Sequence, residues 1–297
     1  MVSVSGAPVV VGVDGSASAL MAVRLAADEA AVRNRPLRVV HAFIWPQLRA
    51  PLGPSPFGPA EGGLRNQAER VVAEAVAEAT KATPGVTVTG AVVTGAPAVV
   101  LIRESRHAAL VVTGSRGLGG FSGLLVGSVA VQVAAHAECP VTVARGTPRP
   151  DGPVVVGVDG SPLSNLAVGF AAEEAALRGT DLVAVRAFAG PVSTGPGDML
   201  PLVYDMDLLE SQENLVLAES LAGIRERYPD VPVTARLVRG RTADALIEQS
   251  RSAQLVVLGA RGLGGFAGLL LGSVSQAVLH HAHCPLAIVR PAGSEAG

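Results

Sequence analysis

The apolar residues of this chain fall into short unbroken runs separated by stretches of helical spacing. Val9–Val13 is continuous, the pattern of a strand buried on both faces of a sheet. Across Ala17–Arg33 the residues Leu20, Val23, Ala27, Ala30 and Ala31 form one stripe, which predicts a helix. The alternation continues with a strand over Leu37–Phe43, a loop rich in proline and glycine over Ile44–Gly62, and a helix over Leu64–Lys81. A strand over Val86–Val93 follows, then a helix over Pro97–His107 whose proline suits the first turn. Strand Leu110–Thr113, glycine-rich loop Gly114–Val126, short helix Gly127–Ala137 and strand Pro140–Ala144 complete the set. The pattern then starts again, with strands expected at 154–158, 182–188, 231–238, 255–258 and 285–289. Strand and helix in strict alternation predict the α/β class, as two tandem doubly wound, Rossmann-like parallel sheets of five strands each.

The restart is a true internal repeat. Val9–Ser16 and Val154–Ser161 both read VVVGVDGS. Leu110–Ser128 and Leu255–Ser273 are identical at 15 of 19 positions, at the same offset of 145 residues. The offset also holds at Gly95/Gly240, His136/His281 and Cys139-Pro140/Cys284-Pro285, so no net insertion separates the copies. Each copy has the length of a whole domain rather than of a solenoid repeat. Gly146–Gly152, with Pro148 and Pro150, is too short a join to let the halves drift far apart.

Composition narrows the functional classes. The chain of 297 residues is 49% hydrophobic but only 3% aromatic, with a mean hydropathy of +0.42, which suits small aliphatics packed on a buried sheet and excludes disorder. A net charge of −2 provides no basic field for nucleic acid. Two cysteines, Cys139 and Cys284, cannot build a disulfide framework or a cysteine-rich zinc site. The N-terminus lacks the basic residues of a secretory signal. His and Pro residues interrupt the longest apolar stretches, 124–144 and 269–289, so no membrane span is expected. The expected location is cytoplasmic.

Gly114-x2-Gly117-x9-Gly127-Ser128 and Gly259-x2-Gly262-x9-Gly272-Ser273 carry the candidate chemistry. Glycines after a strand let backbone N–H groups approach an anion, and the helix opened by Gly127-Ser128 offers its free N–H groups and dipole to phosphate. Arg116 and Arg261 can pair with phosphate oxygens. The competing explanation is a turn that serves only tight strand–helix packing. Asp14 and Asp159 follow strands 1 and 6, where a carboxylate accepts from ribose hydroxyls, holds a divalent cation, or caps the next helix. Ser16 and Ser161 can supply that cap instead. Gly12 and Gly157 leave room for a ligand or a neighbouring chain segment. If the strand order is 3-2-1-4-5, the switch point lies between strands 1 and 4, and the two repeated motifs meet across one crevice. Neither a Walker A loop nor a G-x-G-x-x-G fingerprint is present.

These motifs resemble those of the universal stress protein family in its tandem form. The family's nucleotide pattern, G-x2-G-x9-G-(S/T), is met in full twice, and the resemblance runs from Val9 to Arg290. It implies nucleotide-binding domains at 1–146 and 152–297, a 3-2-1-4-5 sheet, one ATP per domain with or without Mg²⁺, and a homodimer. Carried over position by position, the first set of contacts is Gly12, Asp14, Ala42, Gly114, Ser115, Arg116, Gly117, Leu118, Gly119, Gly120, Gly127, Ser128 and Val129. The second is Gly157, Asp159, Ala187, Gly259, Ala260, Arg261, Gly262, Leu263, Gly264, Gly265, Gly272, Ser273 and Val274. Main chain around His41-Ala42 and Arg186-Ala187 lines the adenine in this reading. The implied function is an ATP-binding stress-response regulator, a nucleotide-dependent sensor or switch that acts on a regulatory protein partner. The alternatives are a slow Mg²⁺-dependent ATPase and a nucleotide-independent scaffold. No catalytic residue and no metal site is assigned.

Two further features are weaker. His280, His281, His283 and Cys284 gather at a helix end, where histidines complementing the dipole are the simpler explanation than a metal site. Residues 1–145 carry 12 basic and 9 acidic side chains, net +3, against 11 and 16, net −5, over 146–297. Such opposite signs either reflect drift on a solvated surface or favour one pairing of domains or subunits.

Overall fold

A computed structural model of the chain describes residues 6–44, 60–118, 126–188, 205–264 and 271–291. The described residues divide into two compact units, the first comprising those up to Arg145 together with Arg290 and Pro291, the second Gly146–Val289. In the first, β1 (Val9–Gly12), α1 (Ala17–Val32), β2 (Leu37–Phe43), α2 (Ala60–Ala82), β3 (Val88–Thr94), α3 (Pro97–Ser105), β4 (Leu110–Gly114), α4 (Ser128–His136) and β5 (Val141–Ala144) follow in order. The strands are parallel and lie in the order β3-β2-β1-β4-β5. Val9 and Val11 of β1 pair with Leu110 and Val112 of β4, so both strands end on the same edge of the sheet. Helices α1 and α2 pack together, as do α3 and α4, one pair on each face.

The second unit has the same architecture. Its elements are β6 (Val154–Gly157), α5 (Pro162–Arg178), β7 (Leu182–Phe188), α6 (Met206–Ser220), α7 (Ile224–Arg227), β8 (Val233–Arg239), α8 (Thr242–Gln249), β9 (Leu255–Gly259), α9 (Ser273–His281) and β10 (Leu286–Val289). Its strand order is β8-β7-β6-β9-β10. Central strands β1, β4, β6 and β9 are almost wholly buried, which explains their unalternating valine and leucine runs, whereas edge strands β3 and β8 are partly exposed.

Two elements depart from the sequence pattern. Helix α2 starts at Ala60, not Leu64, and takes Gly62 and Gly63 into its first turns, where a glycine's cost in helix propensity is offset by the long amphipathic stretch that follows. The rest of the expected loop, 45–59, lies outside the described residues. In the second unit the corresponding helix breaks after Ser220. Gly223, at φ +76°, stands where the first copy has Glu78 and ends what would otherwise be one long helix, leaving the one-turn α7.

Candidate functional site

The carboxyl ends of β1 and β4 open on a cavity of about 530 Å³, within the usual range for small-molecule sites. Gly12, Val13 and Asp14 form its floor on the β1 side, and Val40, His41 and Ala42 come from β2. Pro97 and Leu101 of α3 form a wall, and Thr113, Gly114, Arg116, Gly117 and Gly127–Ala130 close the β4 side.

Local sequence fixes the turn after β1. Gly15 adopts φ +86°, Ser16 caps α1 by accepting the Ala19 N–H at 3.1 Å, and the second copy repeats both devices with Gly160 and Ser161. The serine cap leaves Asp14 free for another task. Its Oδ1 accepts the Ser16 N–H at 3.0 Å, and its Oδ2 accepts the Leu118 N–H at 2.7 Å, from across the crevice. Asp159 makes the same pair of bonds, to Ser161 and Leu263, both at 2.9 Å. The carboxylate therefore ties the strand-1 turn to the loop after strand 4, and each oxygen keeps lone-pair capacity for a further donor.

That loop is anchored by main chain. Ser115 N donates to Ala144 O at 3.1 Å, Gly127 N to Ser115 O at 2.7 Å, and Arg116 N to Ser18 Oγ at 3.2 Å. The Arg116 guanidinium is exposed, borders the cavity and has no hydrogen-bonding or ionic partner among the described residues. Gly127, extended at φ −74° and ψ 149°, caps α4 without a side chain, so the first-turn N–H groups have no capping oxygen. They present the positive end of the helix dipole to the crevice. Gly272 starts α9 in the same way.

The glycines serve purposes that differ from one another. A methyl on Gly114 would lie 2.9 Å from the Ser18 carbonyl group, so this glycine permits close packing of α1 on β4, as Gly259 does against Leu163. A methyl on Gly12 would meet Leu101 at 2.6 Å, a neighbouring chain segment rather than a ligand. On Gly117 it would lie 2.5 Å from Asp14 Oδ2, and the contact of Gly262 with Asp159 is closer still. Neither Gly117 nor Gly262 has a positive φ, so close approach to the carboxylate is the reason for glycine there. Among the described glycines of the first set, Gly127 alone meets nothing nearer than 3.6 Å.

Of the first set of expected contacts, Gly12, Asp14, Ala42, Gly114, Arg116, Gly117, Gly127, Ser128 and Val129 line this one cavity. Ser115 is buried and turned toward Ser18, with its Oγ 3.5 Å from the Ser18 Oγ, and Leu118 contributes its N–H while its side chain is exposed. In the second unit Gly157, Asp159, Ala187, Gly259, Arg261, Gly262, Leu263, Gly264, Gly272, Ser273 and Val274 occupy matching positions at the ends of β6, β7 and β9 and the start of α9. Ala260 there is buried. Gly119, Gly120 and Gly265 lie outside the described residues.

Sequence reasoning missed Val13, Val40, Pro97, Leu101, Thr113 and Ala130. Five are apolar: Val40, Pro97, Leu101 and Ala130 lie in no motif, and Val13 lies in the repeated VVVGVDGS but reads there as a core strand residue. Thr113 had a signal, since it is one of the few positions where the repeated segments differ, with Leu258 as its counterpart. His41 donates from Nδ1 to Val13 O at 2.8 Å, while its counterpart Arg186 pairs with Glu213 of α6. Cys139 is buried ahead of β5, and that burial pushes its thiol up to about 12. Among the described residues no three His, Cys, Asp or Glu side chains are grouped to hold a metal, and no helix is long and apolar enough to cross a membrane.

Comparison with known proteins agrees with this architecture. A sequence model of the universal stress protein family matches residues 7–145 and again 152–290. The universal stress protein Rv2005c of Mycobacterium tuberculosis is 41% identical over 293 residues, 95% of this chain and 96% of that one. Rv2623 from the same organism is 39% identical over 292 residues, 95% and 96% of the two chains. A crystal structure of a universal stress protein from Archaeoglobus fulgidus superposes with a TM-score of 0.68 at 19% identity, covers 98% of each chain and shares the fold. The chain belongs to the universal stress protein family and carries two copies of its domain in tandem.

Proposed function

We infer that each crevice binds an adenine nucleotide, ATP by preference, and that the chain works as a nucleotide-dependent sensor or switch read by a protein partner. The observation that carries this reading is the convergence of nine of the expected contact positions on one cavity of about 530 Å³ in the first unit. The residues fit the parts of such a ligand. The uncapped first turn of α4, the Ser128 hydroxyl and the Arg116 guanidinium suit phosphate oxygens. The spare lone pairs of Asp14 suit ribose hydroxyls, and the apolar wall of Val40, Pro97 and Leu101 suits a purine ring. Mg²⁺ would add charge neutralisation at the phosphates, with Asp14 as the acidic side chain of the crevice. The second unit repeats the carboxylate–loop bonds and the uncapped helix start, which supports one nucleotide per unit.

Binding rather than turnover is favoured by the state of Asp14. Both its oxygens already accept backbone N–H bonds, and Ser128 and Arg116 neutralise charge without readily taking a proton. Isothermal titration of the whole chain with ATP tests the reading. The expected result is two sites per chain, with Gly117→Ala weakening one and Gly262→Ala the other. Folded wild-type protein that takes up no ATP at millimolar concentration would overturn it.

A further inference from the structure

The two units differ at a buried position near the carboxyl end of the fourth strand of each, Thr113 in the first and Leu258 in the second. Thr113 precedes Gly114, the last residue of β4, lines the first cavity and is 3% exposed. Its Oγ1 has no hydrogen-bond partner among the described residues. Other buried hydroxyls of this unit do have partners: Ser105 Oγ donates to Ile102 O at 2.6 Å and accepts the Glu138 N–H at 2.9 Å. An unpaired buried hydroxyl is a cost that a methyl in its place would not carry. The second copy has that apolar solution. Leu258 replaces Thr113, and its Cδ2 lies 2.5 Å from where a Cβ on Gly157 would be. Two polar side chains of the second copy at positions matching the first cavity are also satisfied within the protein, with Arg186 on Glu213 and Ser275 Oγ on Gly259 O at 2.8 Å.

We propose that Thr113 is a specificity-determining residue of the first crevice, its hydroxyl hydrogen-bonding a polar atom of the nucleoside part of the bound nucleotide, and that the second crevice, with Leu258, discriminates less among nucleosides. The placement favours the nucleoside over the phosphates. Thr113 is on the strand itself, ahead of the loop that carries Arg116 and of Ser128, and it lines the same cavity as Val40, Pro97 and Leu101. A turn about χ1 exchanges its methyl and hydroxyl without moving the backbone. This proposal rests on the nucleotide reading above and goes beyond it in making the two sites chemically unequal.

The test uses the full chain carrying Gly262→Ala, so that titration reads the first crevice. Thr113→Val keeps the shape and removes the hydroxyl. ATP affinity is expected to fall about fivefold to tenfold, the usual scale of one hydrogen bond. The ligands compared are ATP, 2′-deoxy-ATP, 3′-deoxy-ATP and purine riboside triphosphate. One of the three analogues should bind the Thr113 protein as weakly as ATP binds the valine variant, and should lose nothing further in that variant. Without ligand, the valine variant should melt at the same temperature as its parent or higher, because an unpaired hydroxyl has been removed. Equal ATP affinity for the threonine and valine proteins would overturn this proposal and leave the nucleotide reading standing. A lower melting point without ligand would assign Thr113 a structural role and also overturn it. Failure of the wild-type chain to bind any of the four would defeat both.

Discussion

A methyl group at position 117 would strike at the link between the two walls of the first crevice. On the present backbone it would lie 2.5 Å from Asp14 Oδ2, the oxygen that accepts the Leu118 N–H at 2.7 Å. Comfortable contact begins near ~3.5 Å, so the carboxylate or the loop must retreat by about 1 Å. A 2.7 Å bond stretched by that amount is no longer a hydrogen bond. Bonds to charged acceptors are worth about 1.5–3 kcal/mol, but Leu118 is exposed and water replaces part of the loss. A working figure is about 1–1.5 kcal/mol, or roughly 2–6 °C in the melting point of a unit this size. The effect should be local first: amide exchange at Leu118 speeds up in Gly117→Ala while β1 and β4 stay protected. A double-mutant cycle with Asp14→Ala makes the reasoning strict. That change removes the obstacle together with the bond, so Gly117→Ala should cost little in its presence, with a coupling of about 1 kcal/mol. Strictly additive effects, or unaltered exchange at Leu118, would refute the explanation of this glycine.

Three further outcomes follow from the same geometry. Gly114→Ala places a methyl 2.9 Å from the Ser18 carbonyl, main chain that cannot swing aside, so thermal melting should show a loss of about 1–3 kcal/mol; an unchanged midpoint would contradict tight α1–β4 packing. Cys139, its thiol pushed up to about 12 by burial, should resist iodoacetamide at pH 8 in the native chain, since only the thiolate reacts and its fraction rises with pH toward that value. Rapid labelling before unfolding would count against this. Bound ATP should persist for hours in protein free of contaminating ATPase, and turnover faster than ~1 s⁻¹ that disappears in Gly117→Ala plus Gly262→Ala would establish catalysis instead.

The fold was legible because the repeat and the strand–helix alternation reinforce each other. Valine and leucine runs in β1, β4, β6 and β9 are what a doubly covered parallel strand requires, and the short helix after Gly127 is marked by the glycine–serine pair. Boundaries were less legible where a single residue decides them, as at Gly223, which breaks in the second copy a helix that is continuous in the first. The sequence marked positions that meet at one cavity of the first unit, but not the reason for each residue there. Sequence marks Gly12, Gly114 and Gly117 alike, yet one faces Leu101, one the backbone of Ser18 and one the carboxylate of Asp14. Spacing along the chain carries no information about which atoms approach each missing Cβ. The bonds from Asp14 to Leu118 and from Asp159 to Leu263 span 104 residues, so only the folded chain reveals them. The wall residues Val40, Pro97 and Leu101 were hidden because apolar side chains of a crevice look like those of a core.

The proposed adenine nucleotide sites lie at the carboxyl ends of β1 and β4 and, in the second unit, of β6 and β9. Denaturing the purified 297-residue chain and identifying the released small molecules by mass spectrometry, beside the Gly117→Ala plus Gly262→Ala protein prepared in the same way, tests their occupancy most directly. The wild-type chain is expected to release ATP, approaching two per chain after incubation with excess ATP, and the double variant far less. Wild-type protein that releases no adenine nucleotide even after that incubation, or a double variant that releases as much as wild type, would contradict it.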